Sequence, residues 1–141
     1  MLARAARQVL AWESARRARI ELTVLDAAAM RRLNTRAFGR RRLTDVIAFT
    51  LPQADGSLLG DVYVCPAAAA RFVATGGGRG GRAGGRAIGG KGGVREELIR
   101  LAVHGTLHVL GYDHSDGPGR TRSRMWRTQE RYVRRLLGES R

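Results

Sequence analysis

The chain has 141 residues, 43% of them hydrophobic, with 26 basic against 12 acidic side chains and a formal net charge of +14. That length suits one domain with a substantial core, and the single cysteine, Cys65, excludes an intrachain disulfide and gives no sign of an oxidising compartment. No apolar run nears the ~20 residues that cross a bilayer, while the excess of cations favours a polyanionic partner, nucleic acid ahead of an anionic membrane surface.

From the N-terminus, residues 1–19 are rich in Ala and Arg and poor in acids. That composition fits a transit peptide. However, Leu2, Ala6, Val9 and Leu10, with Trp12 or Glu13, fall near helical spacing, and the continuous apolar core of a secretory signal is missing. The segment is read as the first, amphipathic helix of a cytoplasmic domain. Arg19 to Leu25 then alternates polar and apolar, which predicts a half-buried strand with Ile20, Leu22 and Val24 on one face. Asp26 can cap a helix from Ala27 to about Ala37, with Met30 and Leu33 facing the core. A basic loop, Gly39-Arg40-Arg41-Arg42, follows.

Thr44 to Leu51 reads as a second strand stopped by Pro52, and Leu58 to Cys65 as a third ended by Pro66. The Asp55-Gly56 turn signal between them predicts an antiparallel pair. Cys65 closes an apolar run, where a small buried hydrophobe is expected rather than a nucleophile. Ala67 to Ala74 reads as a short helix. In Gly76 to Gly93, eleven of eighteen residues are glycine, four are basic and none is acidic. Such a stretch cannot bury enough side chain to offset the entropy of ordering, so a mobile loop is expected. Its Gly-Arg character resembles segments that bind RNA backbones, and a tolerated surface insertion explains it equally well. Without its four basic residues the charge of +14 falls only to +10.

Val94 to Leu110 is predicted as a helix, with Leu98, Leu101, Ala102 and Val109 as apolar contacts. Glu96 and Glu97 in its first turn complement the helix dipole. A last helix, about Thr121 to Leu137, carries Met125, Trp126, Val133 and Leu136 on an apolar stripe and arginines opposite. These elements predict a single α/β domain over residues 1–141, α+β-like, with a small mixed sheet of three to four strands flanked by about five helices.

The chemistry is concentrated at one place. All three histidines, His104, His108 and His114, fall within eleven residues. His104 and His108 are four apart, one helical turn, and so share a face. Gly111 can end the helix in a left-handed conformation and turn the chain back, bringing His114 to the same point. Three imidazoles suit one zinc ion with a fourth position open. A bland alternative is a helix end whose histidines only cap and pack.

The spacing H-x3-H-x2-G-x2-H is that of the metzincin peptidases, but their general-base glutamate after the first histidine is here Gly105. A zinc peptidase would therefore lack its proton acceptor. Zinc held by neutral imidazoles keeps its charge and serves as a Lewis acid at a phosphoryl oxygen, where neighbouring arginines also help. Metal and arginine together point to cleavage of a nucleic-acid backbone. Asp45 and Asp61 are candidates either to orient the imidazoles or to serve local turns and ion pairs, and Asp113 to fix the turn.

The run His104-Gly-Thr-Leu-His108-Val-Leu-Gly-Tyr-Asp-His114 resembles the signature of the YbeY family of bacterial rRNA-maturation endoribonucleases. Thr44-Asp45-Val46-Ile47-Ala48-Phe49 is similar to the family's T-D-V-L-S-F strand, and Leu59-Gly60-Asp61-Val62-Tyr63-Val64-Cys65 to its L-G-D-I-x-I-C strand. Leu33-Asn34 matches the L-N before the basic loop. The resemblance covers most of the chain from Ile20 onward. It implies a zinc-dependent, single-strand-specific endoribonuclease acting in 16S rRNA 3′-end maturation and ribosome quality control, with His104, His108 and His114 as metal ligands. The implied partners are single-stranded RNA, the 16S rRNA precursor and the ribosome, with neither membrane nor nucleotide cofactor.

Three departures stand out. Phe38 occupies the place of an arginine that the family carries four residues after the L-N asparagine, which leaves Arg40 and Arg36 as candidate catalytic helpers, and Arg40, Arg41 and Arg42 as candidate RNA contacts. Ala48 replaces the strand serine. The chain begins at the first helix, where the family has a strand before it. A non-catalytic RNA- or ribosome-binding factor with a structural metal is the second reading.

Overall fold

In the computed structural model, residues 1–76, 93–113 and 123–139 are described. Most of the Gly- and Arg-rich stretch expected as a mobile loop therefore lies outside the described residues, as does His114.

The first helix, α1 (Leu2–Trp12), buries Ala5, Ala6 and Val9. It is shorter than the basic N-terminal segment: the chain turns at Ser14, in a left-handed conformation (φ 55°), and enters β1 (Ala18–Val24). Helix α2 (Ala27–Phe38) starts as the sequence predicts, with the Asp26 carboxylate accepting from the Ala29 N–H at 2.8 Å. It ends on Gly39 at φ 67°, a conformation that glycine adopts without a steric penalty.

Strands β2 (Val46–Pro52) and β3 (Leu58–Val64) form the expected antiparallel pair, with Val62 opposite Ala48. Strand β1 runs parallel to β3, which gives a three-stranded mixed sheet in the order β1-β3-β2. Pro52, expected to stop β2, instead pairs as its last residue. A residue without an N–H is tolerated there because β2 is an edge strand. Val24, expected on the half-buried face, is 55% exposed because it ends the other edge strand.

The short helix α3 (Pro66–Ala74) has its proline in the first turn. The long helix α4 (Gly93–Val109) crosses one face of the sheet, and α5 (Arg124–Glu139) packs against α4 and α1. Ser123 caps α5, its hydroxyl accepting from the Trp126 N–H at 3.1 Å.

Alternation divides the sheet cleanly. Val62, Val64, Val46 and Ala48 pack with Leu101 and Val109 of α4. Ile47, Phe49 and Tyr63 pack with Met30 and Leu33 of α2, beside the fully buried Cys65. A third cluster joins Val9 of α1, Val103 and Leu107 of α4, and Met125, Val133 and Leu136 of α5. Helix α4 is thus enclosed on several sides, which explains its run of buried residues. No helix among the described residues is long and apolar enough to cross a membrane.

Candidate metal and RNA site

Helix α4 lies unusually close to the sheet. A β-carbon on Gly105 would meet Val62 Cγ1 at 2.5 Å. Gly60 of β3 faces Val109 just as tightly. Two glycines, one on each element, therefore let the helix and the strand approach closely. The backbone after His104 is pressed onto the sheet, and the position that holds glutamate in metzincins has no room for a side chain.

His104 and His108 stand on a different stripe of α4, in line with Glu97 and Arg100. The two histidines share one helix face, as the i, i+4 spacing predicts, with ring centroids 5.0 Å apart and planes meeting at 74°. Both are half-buried. The helix then ends at the expected glycine. Gly111 takes φ 98°, its N–H bonds to the His108 carbonyl at 3.0 Å, and the Tyr112 N–H reaches back to the Leu107 carbonyl at 3.0 Å. These two bonds close a glycine-terminated C-cap.

That turn is tethered to the C-terminal end of α1. The Tyr112 hydroxyl donates to Glu13 Oε1 at 2.8 Å, and the Tyr132 hydroxyl donates to the other oxygen of the same carboxylate. Burial and these bonds hold both phenols above their ordinary pKa. Arg124 of α5 lies over the Tyr112 ring at 5.0 Å, within cation–π range.

Beside His104 stands a residue that no sequence motif marks. Gln129 of α5 is 6% exposed, and its Oε1 lies 2.7 Å from His104 Nδ1. Gln129 Nε2 donates to Glu130 Oε2 at 2.9 Å. Glu130 takes the fork of Arg100, Nε to Oε2 at 2.7 Å and the second nitrogen to Oε1 at 2.9 Å. Arg100 also reaches Glu97 at 3.1 Å and Glu96 at 3.5 Å. Glu97, expected in the first turn as a complement to the helix dipole, is fully buried in this network. Burial alone would lower the Arg100 pKa, but the bonds and charges of Glu130 and Glu97 outweigh it and raise it. Gln129 is silent in the sequence because it belongs to another helix and carries no charge. Asp61 alternates with Val62 and so lies on the sheet face away from α4.

The candidate arginines sit at the C-terminal end of α2. Arg36 is in its last turn, and Arg40, Arg41 and Arg42 are exposed in the loop beyond. Asn34 explains the Leu-Asn pair: it is buried, and its Nδ2 donates to the Arg42 carbonyl at 2.9 Å, which anchors the loop. The Thr35 hydroxyl donates to the Arg40 carbonyl at 3.0 Å. Phe38 is 50% exposed, stacked on Phe49 at 6.0 Å, with the Arg40 guanidinium 5.9 Å from its ring. Ala48 lies under α4, on the same sheet face as Val62.

The family profile described as Endoribonuclease YbeY matches residues 1–137. The chain belongs to the YbeY family. It is 35% identical to Endoribonuclease YbeY of Micrococcus luteus, over 86% of this chain and 73% of that protein. It is 34% identical to the proteins of the same name from Mycolicibacterium gilvum and Mycobacterium tuberculosis, over 70% of this chain and 54% of theirs. The match thus spans about half the length of these two relatives. A Thermotoga maritima protein with a known solution structure has a TM-score of 0.64 at 24% identity, covering 98% of this chain and 80% of that one. That likeness shows the α/β fold.

No group of three potential metal ligands is assembled among the described residues, the third expected one lying outside them. The donor pair that is described fits zinc. Two imidazoles stand one turn apart on a rigid helix, and one of them is hydrogen-bonded through Nδ1 to a side-chain carbonyl oxygen, the arrangement that orients metal-binding histidines.

Proposed function

We propose that this chain is a zinc-dependent endoribonuclease that cuts single-stranded RNA in the cytoplasm. Its substrate is the 16S rRNA precursor at its 3′ end, and it serves ribosome quality control. The observation that carries the reading is the His104–His108 pair, set side by side on α4 with His104 held by Gln129. His104, His108 and His114 would hold one zinc ion. When bound, zinc supplies Lewis acidity at the scissile phosphate and acidifies a water.

The chain's own residues do the rest. The Gly111 turn and the Tyr112–Glu13 bond direct the chain toward the third histidine. The exposed Arg40, Arg41 and Arg42 neutralise RNA phosphates, and Arg40 or Arg36 supplies positive charge as the phosphate becomes more negative. Gly105 leaves no side chain where a peptidase needs its base, so peptide hydrolysis is disfavoured.

A second reading, an RNA- or ribosome-binding factor whose metal is structural, draws on Phe38. An exposed aromatic ring flanked by arginine is built to stack a base rather than to stabilise a charge. Incubating the purified protein with a 16S precursor 3′ end, with zinc and with chelator, separates the two. The nuclease reading expects zinc-dependent cutting that His108→Ala abolishes. Salt-sensitive binding without cutting, and unfolding on chelation, would establish the second reading instead.

A further inference from the structure

The buried network beyond His104 has a direction. Glu130 binds the Arg100 fork through both carboxylate oxygens, and a carboxylate in that role only accepts hydrogen bonds. The Gln129 amide that approaches Glu130 Oε2 at 2.9 Å must therefore present its NH2. The carboxamide oxygen is then the atom 2.7 Å from His104 Nδ1, and an oxygen of that kind can only accept. His104 Nδ1 must carry the proton. In a neutral imidazole the lone pair then resides on Nε2.

We propose that Gln129 is a positioning residue. Clamped by Glu130 and Arg100, it fixes His104 in the Nδ1–H tautomer and presents Nε2 to the metal. The inference rests on the zinc reading above and deepens it. The alternative tautomer, with the proton on Nε2, is the majority form of neutral histidine in water, and it would block ligation through that atom. The ordering energy lies in the Arg100–Glu130 pair, whose side chains are 5% and 6% exposed. A buried bidentate pair holds its geometry where a surface pair would not. The glutamine is suited to its place, since it donates to one neighbour and accepts from the other without adding charge between an imidazole and a carboxylate.

The test uses the full chain, labelled with 15N at histidine and freed of metal, at mildly alkaline pH where imidazoles are neutral. Long-range 1H–15N correlation reads the tautomer directly, with His104→Asn identifying the resonances. Zinc affinity is measured separately by chelator competition with the metal alone. The wild-type chain is expected to hold His104 as Nδ1–H. Gln129→Met, close in size but without the acceptor, is expected to shift His104 toward Nε2–H and to weaken zinc binding by about 10–100-fold. An Nε2–H tautomer in the metal-free wild type overturns the proposal without any variant. So does a Gln129→Met protein with unchanged tautomer and zinc affinity. A wild-type chain that binds no zinc overturns both this proposal and the functional reading. Zinc binding that depends on Gln129 but is accompanied by no RNA cleavage sinks the nuclease alone.

Discussion

Gly105 and Val62 meet so closely that a β-carbon on the glycine would lie 2.5 Å from Val62 Cγ1 and 3.2 Å from Cγ2. This close approach sets how deep α4 lies on the sheet and therefore where His104, one residue earlier, stands. Val62 is fully buried and branched at its β-carbon, so it cannot swing aside. Gly105→Ala is expected to cost about 1–3 kcal/mol, read as a lowered urea midpoint with unchanged slope. Val62→Ala should cost stability alone but recover part of the loss when combined with Gly105→Ala. Equal stability of Gly105→Ala and the parent would mean that the helix does not pack as described.

The buried and exposed ion pairs should respond differently to truncation. Glu130→Ala takes the two-point partner from the Arg100 guanidinium, whose side chain is 5% exposed, and leaves it only Glu97 and Glu96; a loss of about 1–3 kcal/mol is expected. Asp55→Ala removes the partner of Arg17 from a pair at 3.9 Å with both side chains about two-thirds exposed. A loss of no more than about 1 kcal/mol is expected there, from the exposed Ser57 N–H and hydroxyl bonds that the same carboxylate accepts rather than from the ion pair. Parallel denaturation curves of the two variants decide this, and similar losses would contradict the burial pattern.

Alkaline pH should loosen the α1–α5 tether. Burial and the Glu13 bond hold the Tyr132 phenol above its ordinary value. Below about pH 10 the phenol is protonated in both states and the stabilisation is complete. Above that, the unfolded phenol loses its proton first, the unfolded state binds fewer protons, and stability falls until the folded pKa is passed. Melting temperatures recorded from neutral to strongly alkaline pH should show this decline, and Tyr132→Phe should make it shallower. An unchanged slope in Tyr132→Phe would count against the bond.

The basic loop should act through phosphate charge rather than sequence. Replacing Arg40, Arg41 and Arg42 with alanine is expected to weaken single-stranded RNA binding equally across sequences. It should also flatten the plot of log affinity against log salt by about 0.7 for each phosphate that is no longer neutralised. Phe38→Ala should weaken binding with little change in that slope, since stacking releases no counterions. A much flatter salt plot in Phe38→Ala would reassign its role.

Much of this protein was legible locally. The i, i+4 spacing of His104 and His108, the Gly111 stop, the Asp26 cap and the antiparallel β2–β3 pair each depend on residues close in the chain, so sequence by itself determined them. The matched segments also pointed to the family. Tertiary structure decided the rest. Pro52 could extend a strand only because that strand lies at an edge. Glu97 is buried in an ion-pair network because Arg100 and Glu130 of α5 stand beside it. Gly105 proved to be a packing glycine because Val62, 43 positions earlier, occupies the space beside it. The partner of His104 came from Gln129, 25 residues away on another helix. Periodicity and capping reveal which face a helix buries, but not which uncharged side chain of another element will fill the hydrogen-bonding position opposite a histidine. Only the packing of α5 on α4 settles that.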